Sequence, residues 1–440
     1  MPENKSSFFS DVDIPNDEVI ASCIHCGSCL PSCPTYNLTF DEKSSPRGRI
    51  RLIKAVAQNE LEITQTFVDE MNFCLDCQAC ETACPAGVKY GSLVEAARVQ
   101  IESSELTPAF RRLIKKFFFR QVLPFYSRLK TFARILRLYQ RSGLQRFIQW
   151  TNILQLISKK ISRAESLSPK ISTFFSDEIF PERISPSGKI KFRVLFPSGC
   201  LMNVMFAEIN KDTIEVLLKS GCEILFPKEQ TCCGSLQAHN GDLEFARELA
   251  KRNIELFLKL EYDFIISNSA GCGAFMKEYG HVLENDPKYS QPAKIFSSKV
   301  LDVMEFLYQH GDFSNLTEIR IDATYHEACH LVHTQKVTDQ PKEVLKRLPG
   351  LNLIPLDEAT WCCGSAGIYN IVNYDDSMKI LERKMHHLRT TNAEIILTGN
   401  PGCIGQIKYG CESFGMNAEV LHPITLINQY YQEPGNLFPK

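Results

Sequence analysis

The sequence lacks the features of a membrane-spanning or exported protein. No stretch reaches the roughly 18 consecutive apolar residues that a membrane-spanning helix needs. The first residues show no basic segment followed by an apolar run, so a secretory signal is not expected. The net charge of -2 over 440 residues gives no general reason to expect nucleic acid binding. We therefore expect a cytoplasmic protein rather than an exported, disulfide-bonded one.

Two further absences concern ligands and local charge. No G-x-G-x-x-G motif follows a predicted strand and no Walker loop is present, so a nucleotide phosphate site is not expected on this chain. Residues 106–164 contain no Asp or Glu, although they hold 14 Lys and Arg residues. Taking these 14 positive charges from the net charge of -2 leaves -16 on the rest of the chain. Charge is therefore strongly segregated along the sequence.

Cysteine, in contrast, is abundant, with 18 copies. In a reducing cytosol such a content indicates metal ligation or redox chemistry rather than structural disulfides. The cysteines form three blocks, with eight in residues 23–84, five in 200–272 and five in 329–411. Each block is a candidate site.

The first block consists of two copies of one motif. They are residues 23–34 (CIHCGSCLPSCP, the first motif) and residues 74–85 (CLDCQACETACP, the second motif), and both have the spacing C-x2-C-x2-C-x3-C-P. This spacing is the bacterial ferredoxin pattern for [4Fe–4S] clusters. Tetrahedral zinc is the alternative, but it usually shows two separated C-x2-C pairs without a trailing proline. The first block therefore predicts two [4Fe–4S] clusters as cofactors.

The spacing also predicts which cysteines bind each cluster. Three cysteines of a motif can bind three corners of one cluster, and the fourth is carried past it to the other cluster. The predicted ligands of cluster 1 are Cys23, Cys26, Cys29 and Cys84. The predicted ligands of cluster 2 are Cys74, Cys77, Cys80 and Cys33. His25 lies between ligands and is expected to face solvent, without a ligand role.

The second and third blocks form an internal repeat. Cys-Cys-Gly-Ser occurs at 232–235 and at 362–365. A single cysteine, Cys200 or Cys329, precedes each pair by 32 or 33 residues, and another, Cys272 or Cys403, follows its second cysteine by 39 or 40. Strand-like and helical segments alternate in each copy, which indicates a mostly parallel sheet.

These patterns predict a multidomain α/β protein, in which a helical ferredoxin-like domain with two [4Fe–4S] motifs is followed by two homologous α/β cysteine-rich lobes. The predicted parts are the ferredoxin-type domain (14–100), a basic amphipathic helical connector (101–189), the first lobe (190–310) and the second lobe (320–432). The helical sequence between the two motifs resembles the ferredoxin domain of succinate and heterodisulfide reductases.

The chain resembles the iron–sulfur subunit of bacterial glycolate oxidase over nearly its full length. The resemblance is carried by CIHCGSCLPSCPTYN, SPRGRIRLIKA, CLDCQACETACPAGVKYGSL, SAGCGAFMKEYGHVL and CCGSAGIYN. It implies an electron-transfer subunit of an oxidoreductase complex whose separate flavin-bearing subunits oxidise glycolate, with electrons passing on to an acceptor such as a quinone. No catalytic residue is expected on this chain. The lactate-utilisation and anaerobic glycerol-3-phosphate dehydrogenase subunits are similar alternatives.

The two lobes resemble the cysteine-rich domain of heterodisulfide reductases, where a longer motif ends in C-x-x-C. The closing cysteine is missing here, since Phe275 and Gln406 occupy its positions. Metal or cluster binding, thiol–disulfide or partner chemistry, and inert packing all remain open for eight cysteines: Cys200, Cys232, Cys233, Cys272, Cys329, Cys362, Cys363 and Cys403. The histidines beside Cys329 favour a metal in the second lobe; they are His326, His330 and His333.

The basic connector combines its charges with aromatic and aliphatic residues in amphipathic helices, interrupted near Pro124 and Gly143. Such helices can lie on an anionic membrane, which would place the protein peripherally on the cytoplasmic face of the inner membrane. The alternative is a connector that packs its aromatics on the lobes while its charges face solvent or the acidic remainder. Nucleic acid is not an expected partner, because no recognition motif accompanies the charges.

Overall fold

The computed structural model describes residues 8–431. Its N-terminal domain is helical. Its helices are α1 (Asp17–Ala21), α2 (Pro34–Thr39), α3 (Pro46–Ala57), α4 (Gln65–Phe73), α5 (Ala79–Thr82) and α6 (Tyr90–Ser103). Side chains of Ser45 and Thr64 accept hydrogen bonds from the first turns of α3 and α4 and so cap these helices. Their apolar faces meet α6 in one core, where Ile53, Phe67 and Leu93 are fully buried.

The connector is also helical, and its interruptions lie where the sequence predicts them. Its helices are α7 (Ala109–Phe117), α8 (Tyr126–Arg141), α9 (Leu144–Thr151), α10 (Ile153–Ile157), α11 (Lys159–Ser166) and α12 (Ser176–Ile179), with a π-helical turn at Phe118–Val122. Pro124 lies just before α8, and Gly143, with a φ of 84°, precedes α9. This left-handed conformation suits glycine and breaks the helical path.

Only part of the connector packs against the lobes. Phe119 and Tyr126 are buried in the core of the first lobe, as the packing interpretation predicts. Phe147 and Trp150 are 57% and 80% exposed, so that interpretation is wrong for this part of the segment. The connector therefore has one face on the protein and one apolar, basic face in solvent.

The first lobe is a parallel sheet flanked by helices. Its strands are β1 (Arg183–Ile184), β2 (Phe192–Leu195), β3 (Cys222–Leu225), β4 (Phe264–Ser267) and β5 (Val300–Asp302). Its helices are α13 (Cys200–Met205), α14 (Ala207–Lys219), α15 (Ser235–His239), α16 (Leu243–Phe257), α17 (Ala270–Val282), α18 (Ser290–Ser298) and α19 (Val303–His310). The strand order is β1-β3-β2-β4-β5, with β1 antiparallel to β3 and the other neighbours parallel.

The second lobe has the same plan. Its strands are β6 (Ile321–Tyr325), β7 (Leu351–Ile354), β8 (Ile395–Leu397) and β9 (Glu419–Leu421). Its helices are α20 (Gln340–Leu345), α21 (Tyr369–Val372), α22 (Tyr374–Thr390), α23 (Pro401–Phe414) and α24 (Pro423–Gln429), with a π-helical turn at His330–Thr334. The strand order is β7-β6-β8-β9, and all neighbours are parallel.

The two sheets confirm the internal repeat and the parallel topology that the sequence predicts. Strand order β3-β2-β4-β5 in the first lobe corresponds to β7-β6-β8-β9 in the second. The edge strands β5 and β9 have no counterpart in the prediction. Strand β1 lies before residue 190, within the range predicted for the connector. Residue 432, the predicted end of the second lobe, lies outside the described residues.

The two lobes share one apolar core. Ile214 and Leu217 of α14 belong to the same buried cluster as Ile424 and Ile427 of α24. The Asp212 carboxylate accepts hydrogen bonds from α24 side chains across this contact. None of the described helices is both long and apolar enough to cross a membrane.

We predict that Gly350→Ala destabilises the second lobe more than Gly415→Ala. Both glycines have left-handed φ angles, 84° and 64°. A Cβ at Gly350 would lie 2.7 Å from the Ile319 carbonyl oxygen, whereas one at Gly415 meets nothing within 4 Å. We expect Gly415→Ala to lower the free energy of unfolding by about 1 kcal/mol, and Gly350→Ala by about 2–4 kcal/mol.

Urea unfolding, followed by circular dichroism, measures the free energy of unfolding of both variants. Equal losses of stability would contradict the steric argument.

Candidate metal centres

The two cysteine motifs have left-handed residues at the same two positions. His25 and Gly27 of the first motif have φ angles of 54° and 89°, and Asp76 and Gln78 of the second have 54° and 58°. Left-handed residues at such positions turn successive backbone N–H groups toward a common point, which makes a concavity for an anion. Both loops are therefore shaped for a negatively charged group.

The four cysteines predicted for cluster 2 line one cavity. Cys33 comes from the first motif and Cys74, Cys77 and Cys80 from the second, and all four are buried. Burial raises the pKa of the Cys77 and Cys80 thiols well above the usual range. A bound metal would reverse this preference, because coordination deprotonates a thiol. The donor set, the cavity and the loop conformation therefore fit a thiolate-bound cluster.

A buried arginine lies at the wall of this cavity. Arg49 is 0% exposed, and its guanidinium donates to the Glu70 carbonyl oxygen at 2.7 Å and to Thr35 Oγ1 at 3.0 Å. Thr35 Oγ1 in turn lies 3.3 Å from Cys33 Sγ. Arg49 Nη2 also lies 3.6 Å from the Glu70 carboxylate. A cation fixed here would offset the negative charge of thiolate-bound iron. Sequence analysis assigned no role to Arg49, which appears there only within the stretch SPRGRIRLIKA.

The cysteines predicted for cluster 1 lie closer to the surface. Cys23, Cys29 and Cys84 are half-buried against the core of the N-terminal domain, and Cys26 is exposed. Ile24, between the first two, is 69% exposed. The His25 side chain is also exposed, as predicted. A group bound by these thiols would therefore be accessible to another protein.

The second motif is enclosed by the second lobe. Leu75 and Cys77 belong to one buried cluster with Trp361 and Cys362, and Cys329 packs against it. Thr334 donates a hydrogen bond to the Gln78 side chain at 2.7 Å. The cavity predicted for cluster 2 therefore directly adjoins the Cys-Cys-Gly face of the second lobe.

A charged network joins the second motif to the first lobe. His239 Nδ1 lies 3.0 Å from the Asp76 carboxylate and 2.8 Å from that of Glu95. Burial disfavours the charged form of His239, but these two partners outweigh it and raise its pKa to about 10. Arg98 approaches Asp76 within 3.6 Å. Sequence reasoning missed this network, because nothing in the sequence links these residues.

Four cysteines of the first lobe come together, namely Cys200, Cys232, Cys233 and Cys272. Cys232 Sγ lies 3.6 Å from Cys200 Sγ. The Cys233 thiol contacts those of Cys232 and Cys272. Phe119 and Tyr126 of the connector pack in the same buried cluster and cover this thiol group.

The second lobe brings together Cys329, Cys362, Cys363 and Cys403, and their thiols contact one another in the same order as in the first lobe. The Cys362 thiol contacts those of Cys329 and Cys363, and Cys363 contacts Cys403. His326 joins this group, whereas Pro197 occupies the matching position three residues before Cys200 in the first lobe. The two remaining cysteines, Cys222 in β3 and Cys411 in α23, belong to neither sequence of thiol contacts.

A helical domain with paired ferredoxin-type loops, followed by two parallel-sheet lobes with clustered cysteines, defines a class of iron–sulfur proteins. Family models agree with this description. Residues 22–88 match the 4Fe-4S dicluster domain, and residues 194–277 and 323–408 match the cysteine-rich domain. Residues 110–168 match the linker region of the glycolate oxidase iron-sulfur subunit.

Individual relatives cover most of the chain. It is 40% identical to the probable glycolate oxidase iron-sulfur subunit of Bacillus subtilis (strain 168) over 405 residues, 91% of each chain. It is 31% identical to the glycolate oxidase iron-sulfur subunit of Escherichia coli (strain K12) over 392 residues, 88% of this chain and 89% of that one. Lactate utilization protein A of Oceanobacillus iheyensis is 31% identical over 232 residues, 52% of this chain and 94% of its own. The chain belongs to the family of glycolate oxidase iron–sulfur subunits.

We predict that Arg49→Gln lowers the reduction potential of a cluster bound in the adjacent cavity. Reduction adds negative charge, which a buried cation stabilises, and its loss should shift the potential by on the order of −50 to −100 mV. EPR-monitored redox titration measures this shift.

The neighbouring Arg51→Gln is the matched control, because Arg51 is exposed and pairs with Glu60 on the far side of α3 from the cavity. Arg49→Lys keeps the charge and should largely restore the potential. An unchanged potential in a folded Arg49→Gln protein would contradict the electrostatic role.

Proposed function

We propose that the chain is the electron-transfer subunit of a glycolate (2-hydroxyacid) dehydrogenase complex, carrying electrons from a flavin-bearing partner subunit through two [4Fe–4S] clusters to an acceptor such as a quinone. Membership in the glycolate oxidase iron–sulfur subunit family supports the substrate class. The 4Fe-4S dicluster match over residues 22–88 supports the cofactor. The 2-hydroxyacid site lies on a partner chain in this proposal.

The observation that carries the proposal is the position of Cys33. It is the last cysteine of the first motif, yet it lines the cavity formed by Cys74, Cys77 and Cys80 of the second. This arrangement supports crossed ligation, with Cys33 completing cluster 2 and Cys84 completing cluster 1. Crossed ligation ties the two motifs together and keeps the two clusters close to each other.

The two sites differ in access, which suggests different roles. The loop with Cys26 and Ile24 is exposed, so it supplies a surface where an electron-exchange partner can approach. The loop with Cys77 is enclosed by the second lobe, so its residues exclude water and fix the surroundings of cluster 2. The first-motif loop is thus the docking point for a redox partner in this proposal.

A lactate-utilisation subunit is the second candidate. The similarity to lactate utilization protein A spans 52% of this chain, whereas the similarity to the Bacillus subtilis relative spans 91%. The linker-region match at 110–168 further favours the glycolate type. A thiol–disulfide enzyme of the heterodisulfide reductase kind is less favoured, because both lobes lack the closing cysteine.

The exposed face of the connector supports contact with an anionic membrane surface. Leu138, Trp150 and Leu156 are 70%, 80% and 84% exposed. They lie in a segment with 14 basic residues and no acidic ones between 106 and 164. Apolar side chains can enter the lipid interface, while each nearby Lys or Arg adds about 1 kcal/mol of attraction to anionic lipid. Such contact would bring the complex to a lipid-soluble acceptor.

We predict that Cys33→Ser, in the complex co-purified with its flavin-bearing partner, removes one of two [4Fe–4S] EPR signals. Glycolate should still reduce the flavin, because that step lies on the partner. Electron delivery to a quinone analogue should fall at least about tenfold, since the subunit loses part of its electron path.

Cys222→Ser is the control, because Cys222 is buried in β3 outside the thiol groups. Unaltered signals and unaltered delivery in Cys33→Ser would overturn the proposed ligation. Loss of flavin reduction by glycolate in a fully assembled variant would instead argue against the separation of the two steps.

We also predict that the full chain floats with vesicles containing anionic lipid, and that Leu138→Asp/Leu156→Asp weakens this binding by about tenfold or more. Flotation on a density gradient measures the bound fraction. Binding should also weaken at high salt, because part of the attraction is electrostatic.

Ile190→Asp is the matched control, since Ile190 is 43% exposed but lies outside the connector helices. Failure to bind anionic vesicles would reject the membrane contact. Loss of the flavin-bearing partner from the double variant, without a change in vesicle binding, would assign the face to that partner.

A further inference from the structure

The cavity lined by the cysteines predicted for cluster 2 has a buried phenol in its wall. Tyr90 lines this cavity together with Cys74, and it is 3% exposed. Its hydroxyl donates a hydrogen bond to Cys74 Sγ at 3.5 Å. Within residues 8–431 this hydroxyl makes no other hydrogen bond, so its proton is directed at the sulfur alone.

The helix that carries Tyr90 is fixed to the second motif at two places. Tyr90 is the first residue of α6, and the backbone N–H of the next residue, Gly91, donates to the Glu81 side chain at 2.7 Å. About two turns further along α6, Arg98 donates to the Cys74 carbonyl oxygen at 2.6 Å. These contacts hold both the phenol and the cysteine. The fold therefore sets the position of the hydroxyl relative to the sulfur.

This hydrogen bond suits a thiolate better than a thiol. A thiol sulfur is a weak acceptor, whereas hydrogen bonds to ionised acceptors are about twice as strong as bonds between neutral groups. A buried phenol needs a partner, because burial removes its hydrogen bonds to water. A sulfur made negative by coordination to iron would supply that partner.

Two other hydroxyls at this cavity are already engaged elsewhere. Ser32 Oγ donates to the Cys29 carbonyl oxygen at 3.0 Å, and Thr35 Oγ1 donates to the Ser44 carbonyl oxygen at 2.9 Å. A hydroxyl has one proton, so neither has a proton left for a cluster sulfur. Tyr90 is therefore the lining residue whose hydroxyl proton is available to cluster 2.

The first motif has no buried hydroxyl of this kind at the corresponding position. The residue that corresponds to Tyr90, 16 positions after the first cysteine of the motif, is Thr39. Its hydroxyl donates to the Thr35 carbonyl oxygen within its own helix. Ser28 Oγ lies 3.4 Å from Cys26 Sγ, but both residues are exposed, so water competes for this contact. A buried hydroxyl donor to sulfur therefore distinguishes cluster 2 from cluster 1.

We propose that Tyr90 donates a hydrogen bond from its hydroxyl to the Cys74 thiolate of cluster 2, and that this bond raises the reduction potential of cluster 2 and not that of cluster 1. Reduction adds one electron to the cluster and makes its sulfurs more negative, so the bond stabilises the reduced form more than the oxidised form. The phenol keeps its proton in both states. This inference rests on the proposed [4Fe–4S] cofactor, with Cys74 as one of its ligands.

An EPR-monitored redox titration of the anaerobically purified full-length chain tests the role of Tyr90. In Tyr90→Phe, the ratio of reduced to oxidised cluster 2 at a fixed potential should fall about fivefold, the scale of one hydrogen bond. For a one-electron couple this is a shift of about −40 mV, at about 59 mV for each tenfold change. Cluster 2 is identified as the cluster whose signal disappears in Cys33→Ser. The midpoint potential of cluster 1 should not change.

A second measurement detects the proton itself. Pulsed ENDOR of reduced cluster 2, before and after exchange into D2O, should show an exchangeable proton coupling in the native chain that is absent from Tyr90→Phe. The backbone N–H of Asp76 donates to the same sulfur at 3.3 Å and remains in both chains, so its coupling is an internal reference. Identical exchangeable couplings in the two chains would overturn the proposal.

Tyr369→Phe is the matched control. Tyr369 is also buried and packs in one cluster with Cys77 of the second motif, and its hydroxyl has no hydrogen-bond partner among the described residues. This variant removes a phenol near cluster 2 without removing a bond to sulfur, so the midpoint potential should stay unchanged. Equal shifts in the two variants, or no shift in Tyr90→Phe with cluster 2 intact, would overturn the proposal.

Should Tyr90→Phe not retain cluster 2, the native side-chain packing can be kept by replacing all 14 tyrosines with 3-fluorotyrosine. The fluorinated phenol is more acidic and a stronger donor, so the midpoint potential of cluster 2 should rise. An unchanged or lower midpoint would reject the role of Tyr90.

The failure of this inference is distinguishable from that of the proposed function. A native chain without [4Fe–4S] signals would contradict the proposed electron-transfer function. Two intact signals, with the midpoint of cluster 2 unaffected by Tyr90→Phe, would reject the role of Tyr90 alone.

Discussion

The structure depends on how it accommodates concentrated thiols in its interior. Thiolate-bound iron carries negative charge, and a buried charge is stable only beside compensating groups. Three cationic side chains lie around the second motif, and one of them, His239, pairs with the Asp76 and Glu95 carboxylates. Arg49 lies in the N-terminal domain, His239 comes from the first lobe and Lys384 from the second. Polar contacts of the second motif with the first lobe and apolar packing of that motif on the second lobe therefore join these three parts of the chain.

The duplicated lobes show how one topology serves two surroundings. Both place a Cys-Cys-Gly loop near the carboxyl ends of parallel strands, which is where such sheets hold their sites. The connector covers the thiols of the first lobe with Phe119 and Tyr126. The second-motif loop covers those of the second lobe with Leu75 and Cys77. The segments that pack on the thiols differ between the lobes, and so do the residues near the thiols. At one repeat position the first lobe has Pro197 and the second has His326.

The connector has two unlike faces because it serves as a cover on one side only. Its buried residues complete the core of the first lobe, while its exposed residues keep aromatic and basic groups in solvent. Ion pairs such as Arg120–Asp242 and Arg163–Asp375 link it to the two lobes. The basic residues of the connector thus have two roles. Some form ion pairs within the protein, and the others form a basic face in solvent.

The sequence by itself determined the motifs, the repeat and the parallel topology. Cysteine spacing and strand–helix alternation are local patterns, and local patterns are readable from a single chain. It also predicted that Cys33 lies with the cysteines of the second motif, because the ferredoxin pattern assigns the fourth cysteine of one motif to the other cluster. Tertiary structure alone decided which groups surround these thiols. Arg49, His239 and Lys384 have no local signature, since each matters only through contacts with residues distant in the chain. Tertiary packing likewise decided that Phe119 is buried while Trp150 is exposed, because burial depends on which neighbour covers each helix face.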